Sequence, residues 1–572
     1  MTGEATMMLP TPALLFIAAG LITPLVPQRV RWLVMIAAPL VGFWILLTTP
    51  YGNYSETELF GLTLTLFRFD SLSFIFGLIF HLAVFLSVIY SMHVRDTAQQ
   101  AASMIYPGAA IGGLFAGDLV TLFVFWEIMA VASVFLIWAS RTEQSYRAGL
   151  RYLIIHITSG VILLGGVILH YNDTQSIAFD QLGIVSAGTL MIFLAIGIKC
   201  AFPLLHNWLQ DAYPHGTVTS TLVLSIFTTK LAVYALARAF PGTEQLIYIG
   251  ATMTAFPVFF AVIENDLRKV LCYSLNNQVG FMVAAIGIGT PLALNGATGY
   301  AFVNIIFEGL LFMTMGAVLF RAGTTKASDL GALYKSMPYS ATFCIIGALS
   351  ISAFPFFSGF IAKGMILSEA AHGGHFWAWC VLLFASAGVL EHSGIKIPFF
   401  GFFGFHDSGI RVKEAPTHML VAMAIPAVLT IAIGVHPELL YAILPYEADY
   451  AAYTYDHIIT QLQLLVFAIF AFVFLVRQDL YPPEVRSINL DSDWFYRRLI
   501  PGLVERVTHQ IRSIRLGGIM RWERRFEQFI ATIYRHHGPQ GALARSWPAG
   551  STVLWVAILL CGMLIVFYVL DP

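Results

Sequence analysis

The chain of 572 residues is 58% hydrophobic and 14% aromatic but only 11% charged, and its 31 Lys and Arg nearly balance 32 Asp and Glu, for a net charge of −1. That is too little charge to cover a soluble protein of this length, and no global field points to nucleic acid. The five cysteines (Cys200, Cys272, Cys344, Cys380, Cys561) lie far apart inside apolar runs, without a CxxC or Cys/His cluster, so neither a disulfide framework nor an iron–sulfur or zinc site is supported.

In chain order, apolar runs of spanning length fall near 8–27, 30–49, 71–91, 101–117, 119–140, 148–170, 184–203, 217–239, 245–263, 270–289, 293–320, 338–365, 376–403, 417–437, 460–476 and 552–569. The expected fold is all-α and polytopic, with about sixteen transmembrane helices on the length rule. The start, Met1-Thr2-Gly3-Glu4-Ala5-Thr6, lacks the basic region of a cleaved signal, so the first run reads as a retained helix. With the N-terminus outside, alternate loops hold Arg29 and Arg31, Arg95, Arg141 and Arg147, Arg268 and Lys269, Arg321, Lys326 and Lys335, then Arg411 and Lys413. The opposite loops are acidic and carry almost nothing basic beyond Arg68. By the positive-inside rule, both termini then lie on the periplasmic side of a bacterial inner membrane.

One segment departs from this pattern. Residues 478–551 are polar and rich in Arg, and within them 503–538 mix apolar residues with Arg and Glu at helical spacing, weakened at Gly517-Gly518. This predicts an amphipathic helix on the cytoplasmic face, held by anionic lipid or strapped against neighbouring helices or a partner subunit.

Charges inside the spans are the candidate functional groups. Lys199, Lys230, Lys363 and Lys396, with Glu127, Glu308 and Glu391, sit in apolar runs. Each costs about 2.5–3.5 kcal/mol at the bilayer centre on insertion scales, so it faces a protein interior or water and has a partner. A single pair would be explained by helix orientation, whereas a set of acids and bases resembles a relay. Glu127 and Lys199 form the expected coupled pair. Lys396 and Glu391, five residues apart, read equally as an inward structural pair or as pathway groups. Two spans also carry a proline near a lysine: Pro203 follows Lys199 in GIKCAFPLLHNWL, and Pro355 precedes Lys363 in ALSISAFPFFSGFIAKGMIL. Proline removes a backbone donor, so both helices should break near mid-membrane, and both breaks share Ala-Phe-Pro. Single histidines (His81, His156, His170, His392) read as interior hydrogen-bonded groups.

These motifs resemble the antiporter-like subunits shared by respiratory complex I, membrane-bound hydrogenases and multisubunit Mrp-type Na+/H+ antiporters, nearest to the D type of the last. The resemblance runs from about residue 65 to 440 and rests on FVFWEIM with Glu127, GIKCAFPLLHNWLQDAYPHG with Lys199, His206 and Trp208, FTTKLAVYALAR with Lys230, ENDLRKVLCYS, and SGFIAKGMIL with Lys363. It implies two inverted five-helix repeats, each with a half-channel around a broken helix: 101–240 and 245–403, preceded by helices in 1–100 and followed by helices in 404–477, the polar segment 478–551 and a terminal helix in 552–572. It also implies proton translocation by Glu127, Lys199, Lys230, Glu308 and Lys363, with His206, Tyr300, Asn304, Lys396 and Glu391 lining the path. The chain departs from the family pattern at Tyr300, Asn304 and Glu308, where relatives carry His-x-x-x-His-x-x-x-Lys, and at Thr217, where proline is usual. On family geometry Glu308 is expected to pair with Lys363.

The functional reading is a non-enzymatic, proton-conducting subunit of a cation/proton antiporter. Its expected partners are other membrane subunits, H+, an exchanged cation such as Na+, and lipid, with no cofactor, metal or nucleic acid. The alternatives are a proton-pumping membrane arm of a redox complex, or a divergent scaffold whose pathway has decayed.

Overall fold

Polar residues ahead of several apolar runs set the helix starts. The computed structural model describes residues 11–404, 407–482, 484–485, 489, 491–513, 519–538 and 549–570, so the first residues of the chain and Gly517-Gly518 lie outside the described residues. Two helices come first, α1 (Pro12–Ile22) and α2 (Arg31–Thr48). The sequence reading had only a loop next, where the structure has an antiparallel hairpin, β1 (Gly52–Leu59) with β2 (Leu62–Phe69). Its two-residue turn has Phe60 at φ 54° and Gly61 at φ 74°, the left-handed pair that suits the twist of a tight hairpin. The alternation in LTLTLFRF was the signal for it.

The main bundle follows: α3 (Ser71–Tyr90), α4 (Thr97–Leu114), α5 (Leu119–Trp138), α6 (Glu143–Thr174), α7 (Ala187–Lys199), α8 (Asn207–Ala212), α9 (Val218–Ala239), α10 (Gln245–Ile263), α11 (Leu267–Ile288), α12 (Pro291–Ala322), α13 (Pro338–Ile351), α14 (Ser358–His372), α15 (Phe376–Phe403), α16 (Thr417–Val435) and α17 (Tyr455–Arg477). The polar segment then gives α18 (Ile500–Ser513) and α19 (Ile519–His537), and the chain ends in α20 (Ala549–Leu570). Among the described residues, eleven helices are long and apolar enough to cross a membrane, and four shorter apolar ones accompany them. Asp70, Asp96, Asp118 and Asp266 cap α3, α4, α5 and α11 by accepting backbone N–H groups that have no partner inside the helix. Thr217, the departure from proline, caps α9 in the same way, with its hydroxyl 3.1 Å from Ser220 N.

Burial places the centre at α9, α11 and α12, whose apolar windows are 94–100% buried, against 11% for α17. Around this centre the runs 184–203 and 338–365 are each cut in two, into α7 and α8 and into α13 and α14. The cuts are alike atom for atom along the backbone. Ala201 and Leu204 stand at φ 62° and 69°, and Ala353 and Phe356 at 55° and 71°. Phe202 N donates to Gly197 O and Phe354 N to Leu349 O, both at 3.0 Å, the 6→1 bond of a Schellman-type stop. Proline forces the chain out of the helix, and a left-handed alanine turns it; that conformation costs a residue with a Cβ roughly 1–2 kcal/mol.

Ala201→Gly and Ala353→Gly should therefore keep or raise the thermal unfolding midpoint of the detergent-solubilised protein, while Ala→Val at either site lowers it, because a β-branched side chain tolerates this backbone least. Equal midpoints for Gly and Val would contradict this reading of the breaks.

Candidate functional site

Both broken helices end beside a buried lysine, but the two lysines are held without a carboxylate in contact. Lys199, the last residue of α7, donates to Trp126 O at 2.5 Å and sits 4.3 Å over the Trp126 ring. Lys363, on α14, donates to Ile351 O at 3.1 Å and lies 4.9 Å over Phe281 and 5.7 Å over Tyr300. Ile351 is the last residue of α13, so this ammonium meets the negative end of a half-helix. Freed carbonyls and ring faces thus do the work of counter-ions at both breaks. Trp208 Nε1 takes the Ile198 carbonyl at 2.9 Å, which closes off the end of α7.

The central pair differs. Lys230 on α9 and Glu308 on α12 form an ion pair at 3.9 Å with side chains 1% and 2% exposed, and Lys230 also donates to Ser225 O at 3.2 Å. Glu308 therefore pairs with Lys230, not with Lys363 as expected. The reason is distance along α12: Lys363 lies level with Tyr300, and eight residues at 1.5 Å each separate Tyr300 from Glu308 by about 12 Å. Asn304, fully buried one turn before Glu308, interacts with its carboxylate. Tyr300 donates its hydroxyl proton to Gln278, whose amide donates in turn to Asn277 at 3.0 Å. The positions where relatives carry histidine thus hold a polar network shared between α11 and α12.

Glu127 is near Lys199 but makes no ion pair with it. Its carboxyl Oε1 is buried without a hydrogen-bond partner and packs against Gly160 on α6, where a Cβ would overlap it. Of the four histidines, His81 bonds Gly77 O at 2.7 Å, His170 meets the Thr174 hydroxyl at 3.5 Å, and His392 meets Ser393 Oγ at 2.8 Å. His156 departs from the expectation: both ring nitrogens are buried without a partner, and the ring lies 4.0 Å from that of Tyr152 and 4.5 Å from that of Trp208.

The polar segment after α17 contributes residues that sequence reasoning missed. Lys396, 0% exposed in its side chain, pairs with Glu484 at 2.8 Å rather than with Glu391. Asp491 lies 3.3 Å from His206 and accepts from Tyr273 at 2.9 Å, and Arg497 bonds Asp211 at 2.5 Å. Burial would raise the Asp491 carboxyl, but the hydrogen bond and charge of His206 outweigh it and hold the group at about 2. A depressed carboxyl contributes stability above its unfolded value and loses that contribution as pH falls toward about 2. These contacts tie residues 484–497 of the segment to the bundle as a strap, ahead of the stretch 503–538 that the sequence reads as an amphipathic helix. The strap lies at the end of the bundle where α9 begins; the hairpin lies at the other end, where Arg238 bonds Asp70 at 2.8 Å. The signal for it was a cluster of acids, Asp491 and Asp493, heading an Arg-rich stretch.

A helical bundle with paired breaks and ionisable groups in its interior defines a polytopic membrane protein of the ion-translocating kind. The family model described as NADH:quinone oxidoreductase/Mrp antiporter, TM, matches residues 116–388. The D-type subunit of the Na(+)/H(+) antiporter of Alkalihalophilus pseudofirmus is 30% identical over 352 residues, 58% of this chain and 71% of that protein. Hydrogenase-4 component B of Escherichia coli is 28% identical over 420 residues, 64% of this chain and 62% of that protein, so the match leaves over a third of that relative uncovered. One chain of the membrane-bound sulfane sulfur reductase, an archaeal respiratory membrane complex, superposes with a TM-score of 0.71 at 20% identity over 97% of this chain and 100% of that one. The chain belongs to the NADH:quinone oxidoreductase/Mrp antiporter transmembrane family.

The site geometry predicts which pairs couple. In a double-mutant cycle on transport rate, Lys230→Ala with Glu308→Gln should show a coupling of about 0.5–3 kcal/mol, and Glu308→Gln with Lys363→Ala should be near additive. Gly160→Ala, which displaces the Glu127 carboxyl, should slow transport nearly as much as Glu127→Gln. The reverse coupling pattern, or wild-type transport in Gly160→Ala, would contradict these contacts.

Proposed function

We propose that this chain is the proton-conducting subunit of a multisubunit monovalent cation/proton antiporter, D-like within the Mrp type, assembled with other membrane subunits in a bacterial inner membrane. The observation that carries this reading is the set of ionisable groups inside the bundle: buried Lys199 with the half-buried Glu127 near the first break, buried Lys230 with Glu308 at the centre, and buried Lys363 at the second break. Sixteen crossings, with both termini periplasmic and the strap on the cytoplasmic face, agree with the loop charges. The alike breaks support two inverted repeats at 101–240 and 245–403.

The chemistry follows from burial. Two opposite charges held at low dielectric stay ionised only while they keep each other, because an unpaired buried ion is strongly penalised. If Lys230 passes a proton to Glu308, the N–H bond breaks, an O–H bond forms, and both groups become neutral with no net charge left in the core. Their 3.9 Å separation leaves them one small movement or one water from that transfer. Lys199 and Lys363, held by carbonyls and rings, load and unload the centre, and Glu127 sets the state of Lys199 as it swings from Gly160 toward the ammonium. His206, Tyr300 and Asn304 line the path.

A second reading has one observation in its favour. The fold match that covers 97% of the chain is to a respiratory complex, whereas the fold match to the Mrp complex from Dietzia sp. DQ12-45-1b covers 80%. Under it the same chain is the proton-pumping membrane arm of a redox complex, and the chemistry lies on other subunits.

Purifying the assembled complex, reconstituting it in vesicles and imposing a pH gradient tests both. The antiporter reading expects only membrane subunits and a proton flux driven by Na+ or another monovalent cation, lost in Lys230→Ala with assembly intact. Co-purifying iron–sulfur chains and a flux that needs a reductant would establish the second reading in its place.

A further inference from the structure

Lys396 is a buried cation whose counter-ion comes from the strap. Its ammonium, at zero side-chain exposure, donates to Val262 O at 2.5 Å, near the end of α10, and pairs at 2.8 Å with Glu484 of the strap, whose own side chain is 8% exposed. Such a pair is a costly way to fasten a strap, because desolvating both ions offsets most of their attraction. Elsewhere the strap is fastened by more ordinary ties: Asn489 to Glu264 at 3.2 Å, Ser492 to Asn207, and Arg497 to Asp211.

The helix carrying Lys396 is locally widened. Residues Leu390–Ile395 and Phe399–Phe403 are π-helical on either side of it, a wide turn found mostly as short insertions, often at functional sites. Inside the first widened turn lies His392, fully buried. Its Nδ1 meets Ser393 Oγ at 2.8 Å, that hydroxyl reaches Ser274 Oγ at 2.8 Å, and its Nε2 is aimed into the core without a partner. The same widened turn packs on the second break: a Cβ at Gly394 would overlap Ser352 Oγ, one residue past the Ile351 carbonyl that holds Lys363. Among the described residues, Glu391, Glu264 and Tyr481 are the further titratable groups around the Lys396–Glu484 pair.

Building on the conduction reading, we infer that His392, Lys396 and the strap carboxylate of Glu484 form a proton-exchange branch that connects Lys363 with the strap-bearing face of the protein. In the exchange, a Lys396 N–H bond breaks with its electron pair left on nitrogen, and an O–H bond forms on Glu484, which then gives the proton to water at the rim. The neutral His392 ring takes a proton from Lys363 on its free Nε2 as a Lys363 N–H bond breaks, and the imidazolium then releases a proton to the Lys396 amine, which restores the ammonium and leaves the ring neutral. The strap is thereby a part of the pathway and not only its packing.

The test is proton flux through the assembled complex in vesicles, with complex yield measured alongside. Glu484→Gln, Lys396→Met and His392→Phe should each cut flux about tenfold or more, as expected for loss of a positioned proton-transfer group, while Glu484→Asp retains most of it. Wild-type flux in Glu484→Gln overturns the inference. If Glu484→Gln also loses yield, the charge-swapped double Lys396→Glu with Glu484→Lys decides. Recovered yield with flux still low supports an exchange site, because the swap restores the ion pair but reverses the order of acid and base. Recovered flux together with yield means a packing pair and overturns the inference. Lys230→Ala in the same preparation separates the two levels: if it also conducts normally, the conduction reading has failed, whereas if it alone blocks flux, only the branch has failed.

Discussion

The arrangement depends on the cost of keeping Lys230 and Glu308 charged inside an apolar bundle. Neither side chain is more than 2% exposed, so each needs the other, and α9 and α12 must present them face to face. That requirement accounts for the shape of the centre. The helices that carry the pair, with α11 beside them, are buried on nearly all sides, and the more exposed helices are displaced to the periphery. The two breaks bring Lys199 and Lys363 into the same interior, each held by a carbonyl and an aromatic face.

This division of labour gives the molecule a physical asymmetry. At the centre an acid and a base neutralise each other; at the breaks the cations rest on partial charges, which are weaker and more easily exchanged. Glu127 is an acid near the first break, and it is parked against Gly160 instead of touching Lys199. A glycine there leaves room for a carboxyl that moves, and so a local packing choice on α6 bears on the charge state of α7.

Much of this was legible in the residues. Apolar run lengths and loop charges gave the helices, and the two prolines gave the breaks, because a missing donor and a steric clash act locally and do not depend on the rest of the fold. The buried lysines were recognisable for the same reason. Pairing was not legible, because it depends on which turn of α12 faces α9 and which faces α14. Glu308 was assigned to Lys363 by family geometry, and the two-turn offset from Tyr300 corrects it. The hairpin was missed because alternation marks only β2, while β1 is exposed along most of its length, and the strap residues Glu484 and Asp491 because contacts across more than 80 residues of sequence leave no periodic trace. Thr217 reads as a departure in sequence and as a helix cap in structure, so one substitution changed the means of starting α9 and left its place unchanged.

The central claim is that the carboxyl of Glu308 gains and loses a proton as the protein works. Infrared difference spectroscopy on the reconstituted complex, cycled between opposite pH gradients and compared with Glu308→Gln, reads that carboxyl directly. The account predicts a protonated-carboxyl band that appears and disappears with the gradient and is missing in the variant. A Glu308 carboxyl that stays ionised throughout while the complex transports at its full rate would contradict it.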